Sequence, residues 1–183
     1  MIFNQFPMLN VLHSEGPAQD RSIQMMLYGQ FIGSWEGRVV VHASDGRKIE
    51  ASCEIHFGWV LEGRAVQDVW ITPSRKDRRN IKASSQYNLY GSTLRVYDPQ
   101  NDLWHIAWIN PITQAFNRLT GRKIGEDIIN EYLAEDGARC QWCFTEITDK
   151  SFHWIGRESK DEGNTWNIKT EFFVQRKATD IQA

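Results

Sequence analysis

This sequence of 183 residues contains few cysteines, no large excess of either charge and no long apolar run. Three cysteines in a chain of this size suit a reducing compartment better than a fold stabilised by disulfides. The formal net charge of −2, from 21 basic and 23 acidic residues, excludes a strongly basic nucleic-acid-binding protein. Because no run of about 18 apolar residues occurs, the sequence also predicts no membrane-spanning helix.

The N-terminal residues lack the features of a secretory signal. No Lys or Arg precedes the first apolar residues, and Pro7 interrupts them. Together with the cysteine count, this pattern predicts a cytoplasmic protein. The length favours a single domain with a sizeable core, since a chain of about 150 residues buries roughly two thirds of its unfolded surface.

Aromatic residues, in contrast, are abundant: the sequence contains eight Trp, nine Phe and five Tyr. Hydrophobic residues make up 41% of the chain and charged residues 24%, which is typical of a folded globular domain and not of a disordered chain. The composition therefore predicts an interior rich in aromatic side chains, without indicating what that interior binds.

The hydrophobic period predicts how the chain is organised. Residues 1–19 show no regular period and are expected to form a loose N-terminal arm, and residues 178–183 are expected to form a C-terminal tail. The single domain between them, residues 20–177, begins with a helix for which Asp20 is a plausible N-cap. Gly33 ends this helix. The apolar residues at helical spacing are Ile23, Met26, Leu27 and Phe31.

From Ser34 onward, apolar residues mostly alternate with polar ones, which is the period of a β-strand. About ten such strands follow the helix, separated by short turns at intervals of roughly 8–12 residues. A meander of that length must close or split into two sheets, and closure removes the exposed edges. The sequence therefore predicts an all-β, antiparallel up-and-down meander barrel.

One long irregular connection, residues 74–82, carries five basic side chains. Such a loop is either a solvated surface segment or has a specific role, as a basic lid or as a docking site for an anionic group. The sequence leaves both alternatives open.

Several short motifs resemble those of a known superfamily. Residues 33–37 (Gly-Ser-Trp-Glu-Gly), which open the first strand, are similar to the Gly-x-Trp motif of lipocalins and other calycins. With residues 59–64, 97–99, 104–108 and 157–166, followed by Glu171 and Arg176, they resemble a bacterial lipocalin-like family of unknown function across about residues 23–177. The resemblance implies a ten-stranded calycin barrel with an internal cavity, and it brings no set of catalytic residues.

Two further resemblances, to haem-binding barrels and to sialidase propellers, each rest on a single motif. Nitrobindin-like haem barrels also begin with Gly-x-Trp-x-Gly, but they carry the iron-ligating histidine on a late strand near the C-terminus. Here the last strand has no histidine, and His153 lies one strand earlier. Residues 159–166 resemble the Asp box of sialidase propellers. Since propellers need several blades, we interpret the single copy as a hairpin turn around Asp161.

The cysteines and histidines form no recognisable catalytic or metal-binding motif. Cys140 and Cys143 form a Cys-x-x-Cys on a predicted strand, where positions i and i+3 point to opposite faces, so a redox pair is not expected. No second Cys-x-x-Cys or close His pair completes a zinc site. The sequence therefore predicts no metal and no cofactor.

Four tryptophans in the middle of predicted strands are candidates for the lining of a cavity. Ligand pockets are mostly apolar and aromatic, although a small barrel can also fill itself with such side chains. If Phe116 faces inward, Arg118 does so too, and a ligand carboxylate or Glu171 could pair its charge. The candidate ligand-binding residues are Trp70, Trp108, Phe116, Arg118, Trp142 and Trp154.

Three functions are compatible with these candidates. The leading hypothesis is binding of a small, largely apolar molecule, with or without an anionic group, in the barrel. The second is an isomerase or cyclase using the same pocket, with Glu131 and Glu171 as acid–base candidates and Arg118 stabilising negative charge. The third is a haem-binding barrel. The expected partner is a small apolar or amphipathic molecule and not a nucleic acid, and a homodimer is left open.

Overall fold

The computed structural model describes residues 6–78 and 88–178. No helix in these two ranges is long and apolar enough to cross a membrane. The helices are α1 (Pro7–Leu12), α2 (Ser22–Gly29), α3 (Arg75–Arg78) and a short 3-10 helix (Gln19–Arg21). The strands are β1 (His13–Ser14), β2 (Gly33–His42), β3 (Lys48–Val60), β4 (Ala65–Thr72), β5 (Leu89–Asp98), β6 (Leu103–Asn110), β7 (Ala115–Ile124), β8 (Asp127–Leu133), β9 (Arg139–Thr145), β10 (Ser151–Ser159) and β11 (Asn167–Arg176).

The ten long strands form one closed antiparallel meander. Each strand from β2 to β11 pairs with the next in sequence, and β11 returns to pair with β2. In the closing pair, Phe172 lies opposite Val39, so that both side chains point into the barrel. This arrangement confirms the all-β, up-and-down barrel that the alternating pattern predicts.

The aromatic residues around α2 close one end of the barrel. Tyr28 of α2 is fully buried, and its ring centroid lies 4.8 Å from that of Trp104. Phe31, just after the helix, stacks on Phe144 at 4.8 Å and meets the edge of Phe152 at 5.0 Å. β6 and β10 begin at this end of the barrel and β9 ends there, so the aromatic rings that these strand ends carry meet those of α2. Together these rings form an aromatic plug.

The face of α2 that the helical spacing suggests is confirmed only in part, since Phe31 is buried and Leu27 packs against the core. Ile23 and Met26 are 84% and 47% exposed, whereas Met25 and Tyr28 are fully buried. Apolar residues occupy more than one face of this short helix, so helical spacing alone fits two orientations. The barrel selects the orientation that inserts the aromatic ring of Tyr28.

The segment before α2 is more ordered than a loose arm. It contains α1, and the two residues of β1 pair with the end of β3. The Ser14 hydroxyl accepts a hydrogen bond of 2.9 Å from the backbone N–H of Gly63. Asp20 lies in the 3-10 helix and makes no cap bond to α2; its carboxylate instead accepts a hydrogen bond of 3.0 Å from Arg64.

The basic connection after β4 is described only in part, because residues 79–82 lie outside the described residues. Arg75 pairs with Glu54 on the outer face of β3, at 2.6 Å between Nε and Oε1. Arg78 donates to the carbonyl oxygen of Thr72 at 2.9 Å. These two arginines therefore hold the beginning of the connection against neighbouring strands, and a lid function for the rest stays a prediction.

The turn between β10 and β11 is organised by one carboxylate, in agreement with the interpretation of residues 159–166 as a hairpin turn. Asp161 accepts hydrogen bonds from the Thr165 hydroxyl at 2.6 Å, the Thr165 backbone N–H at 2.8 Å and the Ser159 hydroxyl at 2.7 Å. Gly163 adopts a φ of +98°, a conformation that favours glycine. Together these contacts hold the pKa of Asp161 at about 2.

This lowered pKa predicts a pH-dependent contribution of Asp161 to stability. The pKa is below its usual value of 3.8, so the stabilisation is complete above that pH and is lost as the pH falls through about 2. We expect Asp161→Ala to unfold at a lower urea concentration than the native protein at pH 7. The difference between the two midpoints should shrink steadily between pH 4 and pH 2. A difference that stays constant over that range would show that the carboxylate charge is not responsible.

Candidate functional site

A cavity of about 240 Å³ lies inside the barrel, at the end opposite to α2. Its rim includes Leu89 where β5 begins, Asn110 where β6 ends and Tyr132 near the end of β8. The end of the barrel beside α2 is closed by the aromatic plug. The aromatic side chains on the cavity wall are Trp70, Trp108, Tyr132, Trp142, Trp154 and Phe172.

The four mid-strand tryptophans form a continuous arc on this wall. The ring centroids of Trp70 and Trp154 lie 5.5 Å apart, and those of Trp154 and Trp142 lie 5.8 Å apart. Trp142 then meets Trp108 at 5.8 Å with perpendicular rings. Tilted and edge-on contacts of this kind are favourable for aromatic pairs. The structure therefore brings together the four tryptophans that the sequence singles out, while their role in ligand binding stays a prediction.

A glycine on the inner wall determines where Trp108 can lie. A Cβ atom on Gly91 would come within 2.4 Å of the Trp108 ring, which is closer than real contacts allow. The missing side chain lets the indole lie directly against the β5 backbone. The local sequence thus keeps one ring of the arc against the wall of the cavity.

Charged side chains at the rim are paired with one another or directed outward. Lys169 forms an ion pair with Glu158 at 2.7 Å. Arg157 donates from Nε and Nη2 to Gln141 Oε1 at 2.9 and 2.6 Å, and its guanidinium lies 4.8 Å from the Trp166 ring. Of the described cations at the rim, Lys169 thus has an acidic partner, whereas Arg157 is held by a neutral amide and an aromatic ring.

A buried ion pair lies deeper in the barrel. The Arg95 guanidinium donates to the Asp68 carboxylate, and both side chains are at most 2% exposed. Asp68 also accepts a hydrogen bond of 2.9 Å from the backbone N–H of Thr93. The guanidinium lies 4.8 Å from the Tyr28 ring centroid, within the range of a cation–π contact. The pair thus links the aromatic plug to the cavity, whose wall includes Arg95 and Thr93.

Arg95 and Asp68 are not among the residues that the motifs single out, although the sequence contains a signal for both. Asp68 shares the face of β4 with Val66 and Trp70, and Arg95 lies directly opposite Val66. A charged residue on the apolar face of each of two neighbouring strands indicates a pair, because a single buried charge is costly. That rule indicates that each of the two charges needs a buried partner, but it does not identify the partner.

Phe116 and Arg118 do not face the cavity, and the expectation that they line it is wrong. Phe116 is 60% exposed, and Arg118 is exposed beside it on the outer wall of β7. Leu119 and Gly121 face inward instead, opposite Ile106 and Trp104 of β6. Since alternate residues point to opposite faces, this register directs both candidates to solvent.

The two acid–base candidates also lie outside the barrel. Glu131 accepts a hydrogen bond from the Gln141 amide on the outer wall. Glu171 accepts from His42 Nε2 at 2.8 Å and from His153 Nε2 at 3.0 Å. Burial raises the pKa of Glu171, but the hydrogen bond from His42 and the contact with His153 outweigh it and leave this pKa below its usual value. With Arg118, both carboxylates are therefore remote from the cavity, which removes the motivation for the isomerase or cyclase hypothesis.

The three cysteines are buried thiols without disulfides. Cys140 lines the cavity, and Cys143 lies on the opposite face of β9, as the strand period predicts. Burial raises the pKa of Cys53 to about 12 and that of Cys143 to about 11. Within residues 6–78 and 88–178, no group of three His, Cys, Asp or Glu side chains could hold a metal ion.

A larger groove of about 700 Å³ lies beside α2, outside the barrel. Its lining includes Ile23, Lys123 and Glu126, all of which are exposed to solvent. Small molecules prefer concave sites that enclose most of their surface. The cavity inside the barrel is therefore the better candidate for a binding site.

The barrel is similar to two solved structures. One is Rv2717c from M. tuberculosis, with a TM-score of 0.58 and 13% identity over 85% of this chain and 98% of that chain. The other is the S-type phycobiliprotein lyase CPES from Guillardia theta, with a TM-score of 0.54 and 12% identity over 88% of this chain and 99% of that chain. No protein-family model and no curated protein matches the chain. At this identity the similarity shows the fold alone, which is a closed antiparallel barrel of ten long strands.

Proposed function

We propose that this protein binds a compact, largely apolar molecule in the barrel cavity. The observation that carries the proposal is the arc of Trp70, Trp154, Trp142 and Trp108 on the wall of an open-ended cavity. Aromatic walls with a few fixed polar groups are typical of sites for small organic ligands. The phycobiliprotein lyase described above has a barrel of the same fold.

The size of the cavity limits the ligand. Its volume of about 240 Å³ is below the roughly 300–1,000 Å³ that is usual for drug-sized ligands. It exceeds the roughly 150 Å³ of an engineered apolar cavity that holds benzene. A one- or two-ring aromatic molecule therefore fits this space, whereas a larger ligand would have to extend beyond the rim.

The haem alternative has no support from the residues around the cavity. None of the described residues that line it is a histidine, and His153 lies on the outer wall of β10. Without an inward-facing imidazole, the cavity lacks the haem-iron ligand that the nitrobindin-like resemblance requires. Binding of a compact apolar molecule remains the function that the geometry supports best.

Titration with 2-ethylnaphthalene tests the proposal. We expect the intrinsic tryptophan fluorescence to change with a dissociation constant on the order of tens of micromolar, which corresponds to about 6 kcal/mol. Thr170→Phe, which places a ring at the cavity rim, should weaken binding by about tenfold or more. Thr170 lies on β11 and is only half-buried, so the larger side chain can be accommodated without unfolding the barrel.

Thr120→Phe is the matched control for this titration. Thr120 is exposed on the outer wall of β7, so the same substitution there adds an aromatic ring away from the cavity. The proposal predicts that this variant binds 2-ethylnaphthalene as the native protein does. Equal weakening in both variants, or saturation that neither variant alters, would place binding outside the barrel.

A further inference from the structure

The deepest polar group of the cavity wall has an unused hydrogen-bond donor. β5 enters the barrel at the open rim with Leu89, and Thr93 and then Arg95 follow further inside. Arg95 is 2% exposed, and its Nε makes no hydrogen bond to any part of the chain that the structure describes. A buried donor without a partner is destabilising, and more so when the group is charged. An acceptor on a ligand would remove that cost.

The charge of Arg95 is already compensated inside the protein. Its guanidinium pairs with Asp68, which is also fully buried. The formal charges of the two groups therefore sum to zero. A ligand carboxylate at this depth would add a second buried anion close to Asp68, which is unfavourable in a medium that solvates charge poorly. The Arg95 Nε–H is thus a donor suited to a neutral acceptor.

Among the residues that the structure describes, the two cations of the rim already have partners. Lys169 is paired with Glu158, and Arg157 is directed to Gln141. A carboxylate near the rim would consequently compete with existing partners.

We infer that Arg95 is a specificity-determining residue that selects neutral aromatic ligands carrying a hydrogen-bond acceptor, such as a ketone, amide or ring nitrogen, over hydrocarbons and carboxylates. This inference rests on the proposed function, since it assigns a ligand class to the same cavity. The aromatic part of the ligand packs against the tryptophan arc, and its acceptor receives the Nε–H of Arg95 at the cavity floor. Asp68 acts as a positioning residue that holds the guanidinium and balances its charge.

Three ligands of nearly the same shape test the inference on the native protein. These are 2-ethylnaphthalene, which has no acceptor, 2-acetylnaphthalene, which has a neutral one, and 2-naphthoate, which is anionic. Hydrogen bonds to charged groups contribute about 1.5–3 kcal/mol, so we expect 2-acetylnaphthalene to bind about tenfold or more tightly than 2-ethylnaphthalene. We expect 2-naphthoate to bind no more tightly than 2-ethylnaphthalene.

Two further measurements assign the preference to Arg95. In protein labelled with ¹⁵N-arginine, the Nε–H signal of Arg95 should move with 2-acetylnaphthalene and stay in place with 2-ethylnaphthalene. The double variant Asp68→Leu/Arg95→Met removes both charges and keeps apolar volume, so the dissociation constants of 2-ethylnaphthalene and 2-acetylnaphthalene are compared in it. The ratio of the two dissociation constants should fall to about one in that variant.

The outcomes separate the inference from the proposed function. If 2-ethylnaphthalene and 2-acetylnaphthalene bind equally, the donor is satisfied without the ligand and the inference is overturned, while the proposed function stands. Tightest binding by 2-naphthoate would also overturn it, because the charge argument would then be wrong. If none of the three ligands binds, the proposed function itself fails.

Discussion

Asp68→Ala is expected to destabilise the barrel by about 3–5 kcal/mol, because it leaves the Arg95 guanidinium as an unpaired charge in the interior. Both partners are at most 2% exposed, so water cannot replace the lost carboxylate. The backbone N–H of Thr93 also loses its acceptor. The free energy of unfolding from urea denaturation at pH 7 measures the effect.

Two variants show whether the loss arises from the unpaired charge. Asp68→Leu/Arg95→Met removes both charges and should recover most of the lost stability, since apolar residues often replace a buried ion pair without cost. Asp45→Ala removes a carboxylate from an exposed pair with Arg47 and should change stability little, because solvent screens that pair. If Asp68→Ala unfolds at the same urea concentration as the native protein, the interior ion pair described above does not exist.

Phe31→Ala is expected to destabilise the protein by about 3–5 kcal/mol, the usual range for truncating a buried phenylalanine. The Phe31 side chain is 1% exposed and contacts rings from several strand ends. Its removal leaves a void among rings that belong to different strands, which the barrel cannot easily fill. The ring centroids within 6.5 Å of Phe31 are those of Trp35, Phe57, Phe144 and Phe152.

Phe116→Ala is the matched control for Phe31→Ala. Phe116 is 60% exposed on the outer wall, so the same truncation there should change the free energy of unfolding by no more than about 0.5 kcal/mol. Chemical denaturation of both variants under one set of conditions gives the comparison. Similar losses in the two variants would contradict the assignment of Phe31 to a plug that closes the barrel.

The barrel itself could be predicted from the local sequence pattern, because apolar and polar residues alternate along a strand that has one buried face. On β3, Ile55 and Phe57 are buried, while Glu54 and His56 point outward. The same period located the tryptophan arc, since a bulky apolar residue in mid-strand with polar neighbours usually faces inward. These features depend only on residues close together in sequence.

The inward face of β7 could not be predicted in this way. Both of its faces carry a bulky apolar residue, Phe116 on one and Leu119 on the other. Contacts with distant parts of the chain determine which of the two faces of β7 points inward. A Cβ atom on Gly121 would lie 2.3 Å from the Tyr28 hydroxyl, which is too close for any side chain. Only a glycine at position 121 leaves room for Tyr28 in the aromatic plug. The position of Tyr28 therefore determines which residues of β7 face outward.

The candidate site is likewise only partly predictable from the local sequence. Its apolar wall follows from strand period, whereas the pairing of Asp68 with Arg95 depends on how β4 and β5 align across a connection that includes residues 79–87. That alignment is a tertiary property. The rim charges belong to the same category, since Lys169 and Glu158 meet only because β10 and β11 pair.

The indole N–H signals of ¹⁵N-tryptophan-labelled protein test the central claim most directly, because the eight tryptophans lie in different environments. On saturation with 2-ethylnaphthalene, binding in the barrel cavity predicts large shifts for Trp70, Trp108, Trp142 and Trp154. The other four signals should stay nearly unchanged: Trp35, Trp59, Trp104 and Trp166. Saturable shifts confined to that second set, or binding that moves none of the eight signals, would contradict the account of the cavity as the binding site.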